Sequence, residues 1–182
     1  MIYYLVGLFD EVSYEYIKSL QKKLCKEYNL YESDNNLPML HITLEILTNP
    51  NLLDLDISIK HILKDYTKFQ VDINGVICFD PPFKSVNLNI KNKGIIYELS
   101  KNINTILKSQ SFNVREDIDN WNLHISLANT NFADREWSDN EYLSACNLAK
   151  HENFSKTVTL DAIELWKPIN NKEKMVVKKY SL

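Results

Sequence analysis

The chain is short of cysteine, of basic charge and of long apolar runs, and each shortage closes off a class of protein. Three cysteines, Cys25, Cys78 and Cys146, are scattered and odd in number, so neither a disulfide framework nor a metal-ligand spacing is expected. No apolar run approaches the ~18 residues that a membrane span needs. The N-terminal MIYYLVGLFDEV has no basic stretch and no small-residue cleavage site, and reads as a strand rather than a signal peptide. A cytoplasmic location away from membranes is the expectation. The sequon NFS at Asn153 is then a chance match. Net charge is −3 and the isoelectric point is near 5.8. The lysines are dispersed apart from Lys22–Lys23 and Lys178–Lys179. A protein that grips long nucleic acid through its phosphates needs a basic face, so extended duplexes are excluded as partners. A small phosphate ester or an RNA terminus is not. No low-complexity segment is visible.

What is present fits one globular domain. The 182 residues are 45% hydrophobic and 25% charged, and a chain of this length buries roughly 70% of its unfolded surface. A monomer is expected. Strands are read at Tyr3–Phe9, Met39–Leu47, Phe69–Cys78 (bending near Gly75), Ser85–Ile90, Asn122–Asn129, Thr157–Trp166 and Lys174–Tyr180, from β-branched and aromatic content and alternation. Helices are read at Val12–Tyr28, Ile57–Tyr66, Ile95–Lys108 and Ser138–Lys150 from apolar spacing. The last two strands would form a hairpin through NNKE, and DREWSDNE at Asp134 would be an exposed loop leading into a helix cap. The order strand, long helix, strand, helix, strand occurs twice, about residues 1–80 and 84–168, divided at the DPPF turn at Asp80. A C-terminal strand at 174–180 completes the sheet. This predicts an α+β fold of two related lobes, with pseudo-symmetric inner antiparallel sheets lining a groove and helices outside.

One short string recurs in both copies: LHITLEIL at Leu40 and LHISLANT at Leu123. The chain has only four histidines, and two of them stand in this context. Alternate residues of a strand point to opposite faces. Leu40, Ile42, Leu44 and Ile46 should therefore face helices, with His41, Thr43 and Glu45 on the other side. Likewise Leu123, Ile125 and Leu127 should pack inward, with Asn122, His124, Ser126 and Ala128 opposite. Asn87 and Asn89 share the polar face of Ser85–Ile90. Tyr3 and Phe9 flank Gly7 on one face of the first strand, placed either to stack on a base or in ordinary core. Gly7 leaves space for a ligand or for packing. Trp121 and Trp166 either flank the groove or pack inside. His61 and His151 read as solvated.

Two imidazoles and two hydroxyls suit phosphodiester cleavage. Imidazole titrates at about pH 6.5, so one ring can accept a proton while the other donates one. Hydroxyls can hold non-bridging oxygens as charge builds. A metal hydrolase lacks its ligand set here, with no HExxH and no His-x-His. For the same reason the letters HIT at His41 do not make a histidine-triad hydrolase, and no cofactor is expected.

The two copies, HITL at His41 and HISL at His124, resemble the paired His-x-Thr/Ser-x motifs of the 2H phosphoesterase superfamily. Their spacing and the two-lobed order are similar to its bacterial 2'-5' RNA ligase / RNA 2',3'-cyclic phosphodiesterase branch. The resemblance implies His41 and His124 as the acid–base pair, Thr43 and Ser126 as phosphate binders, and no metal. It implies hydrolysis of a 2',3'-cyclic phosphate on a nucleotide or RNA end, with the 3' oxygen leaving, and leaves reverse 2'-5' ligation open. We take His124 as base and His41 as acid. Members often carry a basic residue just beyond the second motif. Here that stretch is ANTN, with no Arg or Lys before Arg135, and Glu45 would repel phosphate unless it orients a histidine or a base. Tyr3, Phe9, Glu45, Asn87, Asn89 and Trp121 are candidate groove residues. The alternative reading is a non-catalytic nucleotide- or phosphate-binding module with the same groove.

Overall fold

A computed structural model describes residues 1–91, 93–131, 133–152 and 154–182, without the side chain of Asn35. Asn153 of the sequon lies outside the described residues. Among the described residues seven strands form one antiparallel sheet: β1 (Ile2–Phe9), β2 (Ile42–Thr48), β3 (Phe69–Phe79), β4 (Ser85–Ile90), β5 (His124–Ala128), β6 (Ser155–Trp166) and β7 (Val176–Ser181). Five α-helices accompany them: α1 (Glu11–Glu27), α2 (Leu52–Leu63), α3 (Ile95–Ser109), α4 (Asp139–His151) and the short α5 (Lys172–Met175).

Local sequence accounts for the helix starts. Asp10 caps α1 by accepting from the Ser13 amide at 2.8 Å, Asn51 caps α2 through the Leu53 amide at 3.0 Å, and Ser138 and Glu141 form a reciprocal capping box on α4. α2 begins five residues before the expected Ile57. Its solvent face carries Leu53 (69% exposed) and Ile57 (60%), which blur the apolar periodicity that the cap resolves. The 134–141 stretch leads into the cap as expected, but it is not wholly exposed. Trp137 is 1% exposed, and its indole N–H donates to the Lys84 carbonyl at 2.9 Å.

The strand order is β2-β1-β6-β3-β4-β5, with β7 also on β6. Hydrogen bonding runs straight across the Asp80–Lys84 turn, because β3 and β4 are an antiparallel pair. β6 is shared: Leu160 is opposite both Phe9 and Phe69. β3 bends where expected, with a register break between Ile73 and Val76 and Gly75 at φ 76°. The helices exchange partners between the halves, α1 packing on β5 and α3 on β2. Leu5, Leu40, Ile42, Leu44, Leu123, Ile125 and Leu127, all at most 2% exposed, form the core between sheet and helices. The other sheet face carries the motif polar residues. Cys78 of β3 and Cys146 of α4 form a disulfide, contrary to the expectation of none. Their sequence separation of 68 hides a proximity created only by α4 packing on β3. Among the described residues no helix is long and apolar enough to cross a membrane.

Candidate active site

Both motif strands break register at the same place. Opposite β1, Glu45 pairs with Leu5 and Thr43 with Val6, leaving Leu44 as the extra residue. Opposite β4, Ala128 pairs with Val86 and Ser126 with Asn87, leaving Leu127 extra. Such a bulge removes one residue from the ladder and flips the alternation beyond it. The two freed carbonyls are met by helices from the opposite half. Ser100 of α3 donates to the Leu44 carbonyl at 2.8 Å, and the Cys25 thiol of α1 reaches the Leu127 carbonyl at 3.4 Å. The fourth position of each motif is thus a matched structural element.

The histidines are held alike. His41 Nδ1 lies 2.7 Å from the Met39 carbonyl, and His124 Nδ1 lies 2.7 Å from the Asn122 carbonyl. A carbonyl only accepts, so each Nδ1 carries a hydrogen and each Nε2 is left for other work. Each ring also packs edge-on against an aromatic: His41 on Trp166 (centroids 4.8 Å) and His124 on Phe79 (4.9 Å). Burial pushes the His41 imidazole down to about 4; the Met39 carbonyl partly offsets this, and the charge of His124 adds to it. Burial also lowers His124, against the Asn122 carbonyl and helped by Arg115. The larger displacement is at His41.

A cavity of about 890 Å³ lies along the motif face. Thr43, His124 and Ser126 line it, with Tyr4 and Ile46 from one side, Phe79 to Phe83 from the β3–β4 turn, and Trp121 with Asn120 and Asn122 on the other side. His41 is half-buried, with its ring edge-on to Trp166, and is not among the described residues that line the cavity. Apart from His124, Asp80 is the only ionisable Asp, Glu, Lys or Arg among the described lining residues. No group of three or more His, Cys, Asp or Glu that could hold a metal ion occurs among the described residues.

Several candidate groove residues lie elsewhere. Glu45 is 0% exposed, because the Leu44 bulge turns it to the core side. There it accepts from Asn104 Nδ2 at 2.7 Å and pairs with Arg115 Nε at 2.9 Å. Ala128, its counterpart, is turned inward likewise and is 1% exposed. Tyr3 and Phe9 are core residues, 8% and 7% exposed, since β1 turns Tyr4 rather than Tyr3 to the cavity. Gly7 makes room for packing: a Cβ there would sit 2.4 Å from Leu160 Cδ2. Asn87 is buried beneath Ser126. Asn89 pairs with His124 in the sheet, outside the cavity, and donates to the Asn74 carbonyl at 3.3 Å. Trp166 is 3% exposed, and its N–H donates to Glu164 at 2.6 Å. Trp121 lines the cavity, backed by the Arg115 guanidinium 3.9 Å from its ring centroid. His61 and His151 are exposed. Arg115 was missed because it precedes the motif by nine positions in an irregular stretch. Tyr4 and Phe79 were missed because β1 and the Val76–Phe79 end of β3 are apolar on both faces, so pattern alone could not choose.

The family model described as "2'-5' RNA ligase superfamily" matches residues 9–172. No curated protein matches the chain. Among solved structures it is similar to TT0787 of Thermus thermophilus, at 14% identity and TM-score 0.67, covering 100% of this chain and 98% of that one. E. coli LigT complexed with 3'-AMP matches at 11% identity and TM-score 0.61, covering 99% and 97%. Usb1 of Kluyveromyces marxianus matches at 11% identity and TM-score 0.51, covering 100% and 97%. At these identities the likeness is one of fold.

Proposed function

Since the chain belongs to the 2'-5' RNA ligase superfamily of 2H phosphoesterases, we propose that it is a metal-independent phosphodiesterase acting on the 2',3'-cyclic phosphate of a nucleotide or RNA end. The carrying observation is the repeated clamp: two imidazoles, each with Nδ1 on the carbonyl two residues earlier at 2.7 Å, so that two Nε2 atoms are free for proton transfer. The binding of 3'-AMP by LigT supports a nucleotide-sized ligand. A described lining without Lys or Arg favours a single diester charge over a polyphosphate. The deeper depression of His41 argues for the reverse of the assignment from sequence. His41, neutral, takes a proton from water as the water oxygen attacks phosphorus. His124, protonated, delivers its proton to the departing 3' oxygen, and a 2'-phosphate remains. Thr43 and Ser126 flank the phosphate.

The test is turnover of 2',3'-cyclic nucleotides and of RNA ends bearing the cyclic phosphate, with EDTA present. Each of His41→Ala and His124→Ala is expected to cost about 10²–10⁴-fold, the usual contribution of a general acid or base. Near wild-type turnover in both variants defeats the assignment. Binding without turnover in the wild type makes the protein a nucleotide-binding module, and loss of turnover in EDTA restored by a divalent ion defeats the metal-independent mechanism.

A further inference from the structure

The sheet face that carries His124 continues past the cavity into a second cleft. Its volume is about 350 Å³, and Asn74, Asn89, Lys91, Lys93 and Asn122 line it together with Ile90. Asn122 belongs to both linings. Sheet register fixes how the two sites adjoin. Asn89 is paired with His124, and the Ile90 amide donates to the Leu123 carbonyl at 3.0 Å, which carries the register on to Lys91 beside Asn122. Paired residues, and residues two apart on one strand, share a face. Lys91 therefore stands on the catalytic face, two residues of rise or roughly 7 Å from Asn89 and so from the position of His124. The two sites differ in charge. The described cavity lining has no Lys or Arg; the described cleft lining has two lysines and no carboxylate. Asp72 is 3.6 Å from Lys91 Nζ, beyond the ~2.7–2.9 Å of a charge-assisted hydrogen bond, and its other oxygen accepts from the Thr157 hydroxyl at 2.8 Å. Lys93 is exposed and forms no ion pair among the described residues.

We propose that this cleft is a second phosphate site, separate from the histidines, which takes a phosphate carried on the 5' oxygen of the nucleotide whose cyclic phosphate is cleaved. This rests on the phosphoesterase reading, in which the departing 3' oxygen lies at His124. C3' of the ribose is bonded to C4', and C4' carries C5' and the 5' oxygen. A 5'-phosphate therefore leaves the sugar from the His124 end, toward Asn122 and Lys91. Lys91 and Lys93 meet its charge, and the exposed Asn122 amide can donate to it. A nucleoside 5'-phosphate and the internucleotide diester of an RNA end present the same group at this place. Two lysines suit one such phosphate rather than a long backbone, in keeping with a net charge of −3.

The experiment compares kcat/KM for three substrates: adenosine 2',3'-cyclic phosphate, the same compound bearing a 5'-phosphate, and the dinucleotide ApA ending in a 2',3'-cyclic phosphate. The second and third exceed the first by about tenfold, as two surface charge pairs of about three- to fivefold each give. Lys91→Gln combined with Lys93→Gln brings both ratios to within about threefold of unity and leaves the first substrate unchanged, because that substrate has no group in the cleft. Lys93→Glu, at an exposed position, turns the preference against the phosphorylated substrates and decides alone if the double variant does not fold. Lys64→Gln on α2, 57% exposed, leaves the ratios as they are and so separates the cleft from overall charge. Ratios near unity in the wild type overturn the proposal. So does a gain that survives the double variant, which would belong to the added nucleoside. A larger gain for the dinucleotide names an RNA end as the source of the phosphate, and a larger gain for the 5'-phosphate names a free nucleotide; both support the cleft. If none of the three substrates turns over, the phosphoesterase reading fails, and the same ratios measured as Kd for the corresponding 2'-phosphates decide the cleft by themselves.

Discussion

Glu45 is where single residues depart from simple alternation. It follows Thr43 by two positions, so a regular strand would send it to the groove. The Leu44 bulge sends it inward instead, to Arg115 and Asn104. The HITL and HISL strings are readable in the chain because their chemistry is local. The bulge is not, because it exists only relative to the paired strand. Glu45→Gln removes one charge of a buried pair and leaves Arg115, whose side chain is 11% exposed, uncompensated. It should lower unfolding free energy by about 3–5 kcal/mol, read by urea denaturation, while Glu15→Gln on the surface, 60% exposed in its own pair, should change it by less than about 1 kcal/mol. The histidines carry a pH prediction. Both imidazoles are displaced downward in the free protein, so the window in which one is neutral and the other charged moves to lower pH. The profile of kcat/KM, which reports the free enzyme, should peak below about pH 6.5, the ordinary imidazole value. An optimum above about pH 7.5, a full unit beyond that value, would contradict it.

At the scale of elements, Gly7 and the helix partners tell a similar story. All seven strands were legible from β-branched content, and four helices from their spacing; the ends of α2 were not, because Leu53 and Ile57 face solvent. The face of β1 was also hidden. IYYLVGLF is apolar on both sides, and only its neighbours show that Tyr4 meets the cavity while Tyr3 meets the core. Gly7 sits where β1 passes over Leu160 of β6. Gly7→Ala places a methyl against a buried leucine methyl and should cost about 1–3 kcal/mol, the range for overpacking, seen as a lower Tm. If Gly7 were instead reserved for a ligand, the variant would keep its Tm and lose activity.

For the molecule as a whole, acid is the informative stress. The unfolded chain protonates its histidines at about pH 6.5, whereas native His41 resists until about 4. Between those values the unfolded state binds the extra proton, so stability is complete above about pH 6.5 and declines as pH falls toward about 4. At most about 3 kcal/mol is lost through His41; His124 acts in the same direction. Carboxylates held low, such as the partly exposed Glu141 at about 2 beside Arg135, keep their contribution until pH falls below the ordinary carboxylate range. Urea unfolding of wild type and His41→Asn at about pH 7.5 and about pH 5, either side of the ordinary imidazole value, should show the larger loss in wild type. Equal losses would mean that native His41 titrates like a free imidazole.

The exchange of helices between the halves, with α1 on β5 and α3 on β2, also bears on how the gene can be divided. A cut at the Asp80–Lys84 turn would free two polypeptides of which neither can close its core. The first would hold β1 and β2 without α3 above β2 or β6 beside β1. The second would hold β5 without α1, and β4 without β3. Residues 1–80 and 84–182, produced separately, should be unfolded or aggregated. Produced together they should assemble into one particle with native circular dichroism, because each supplies the surface the other lacks. Independent folding of either piece would show a self-sufficient unit; obligate complementation would mean that neither half is a folding unit by itself.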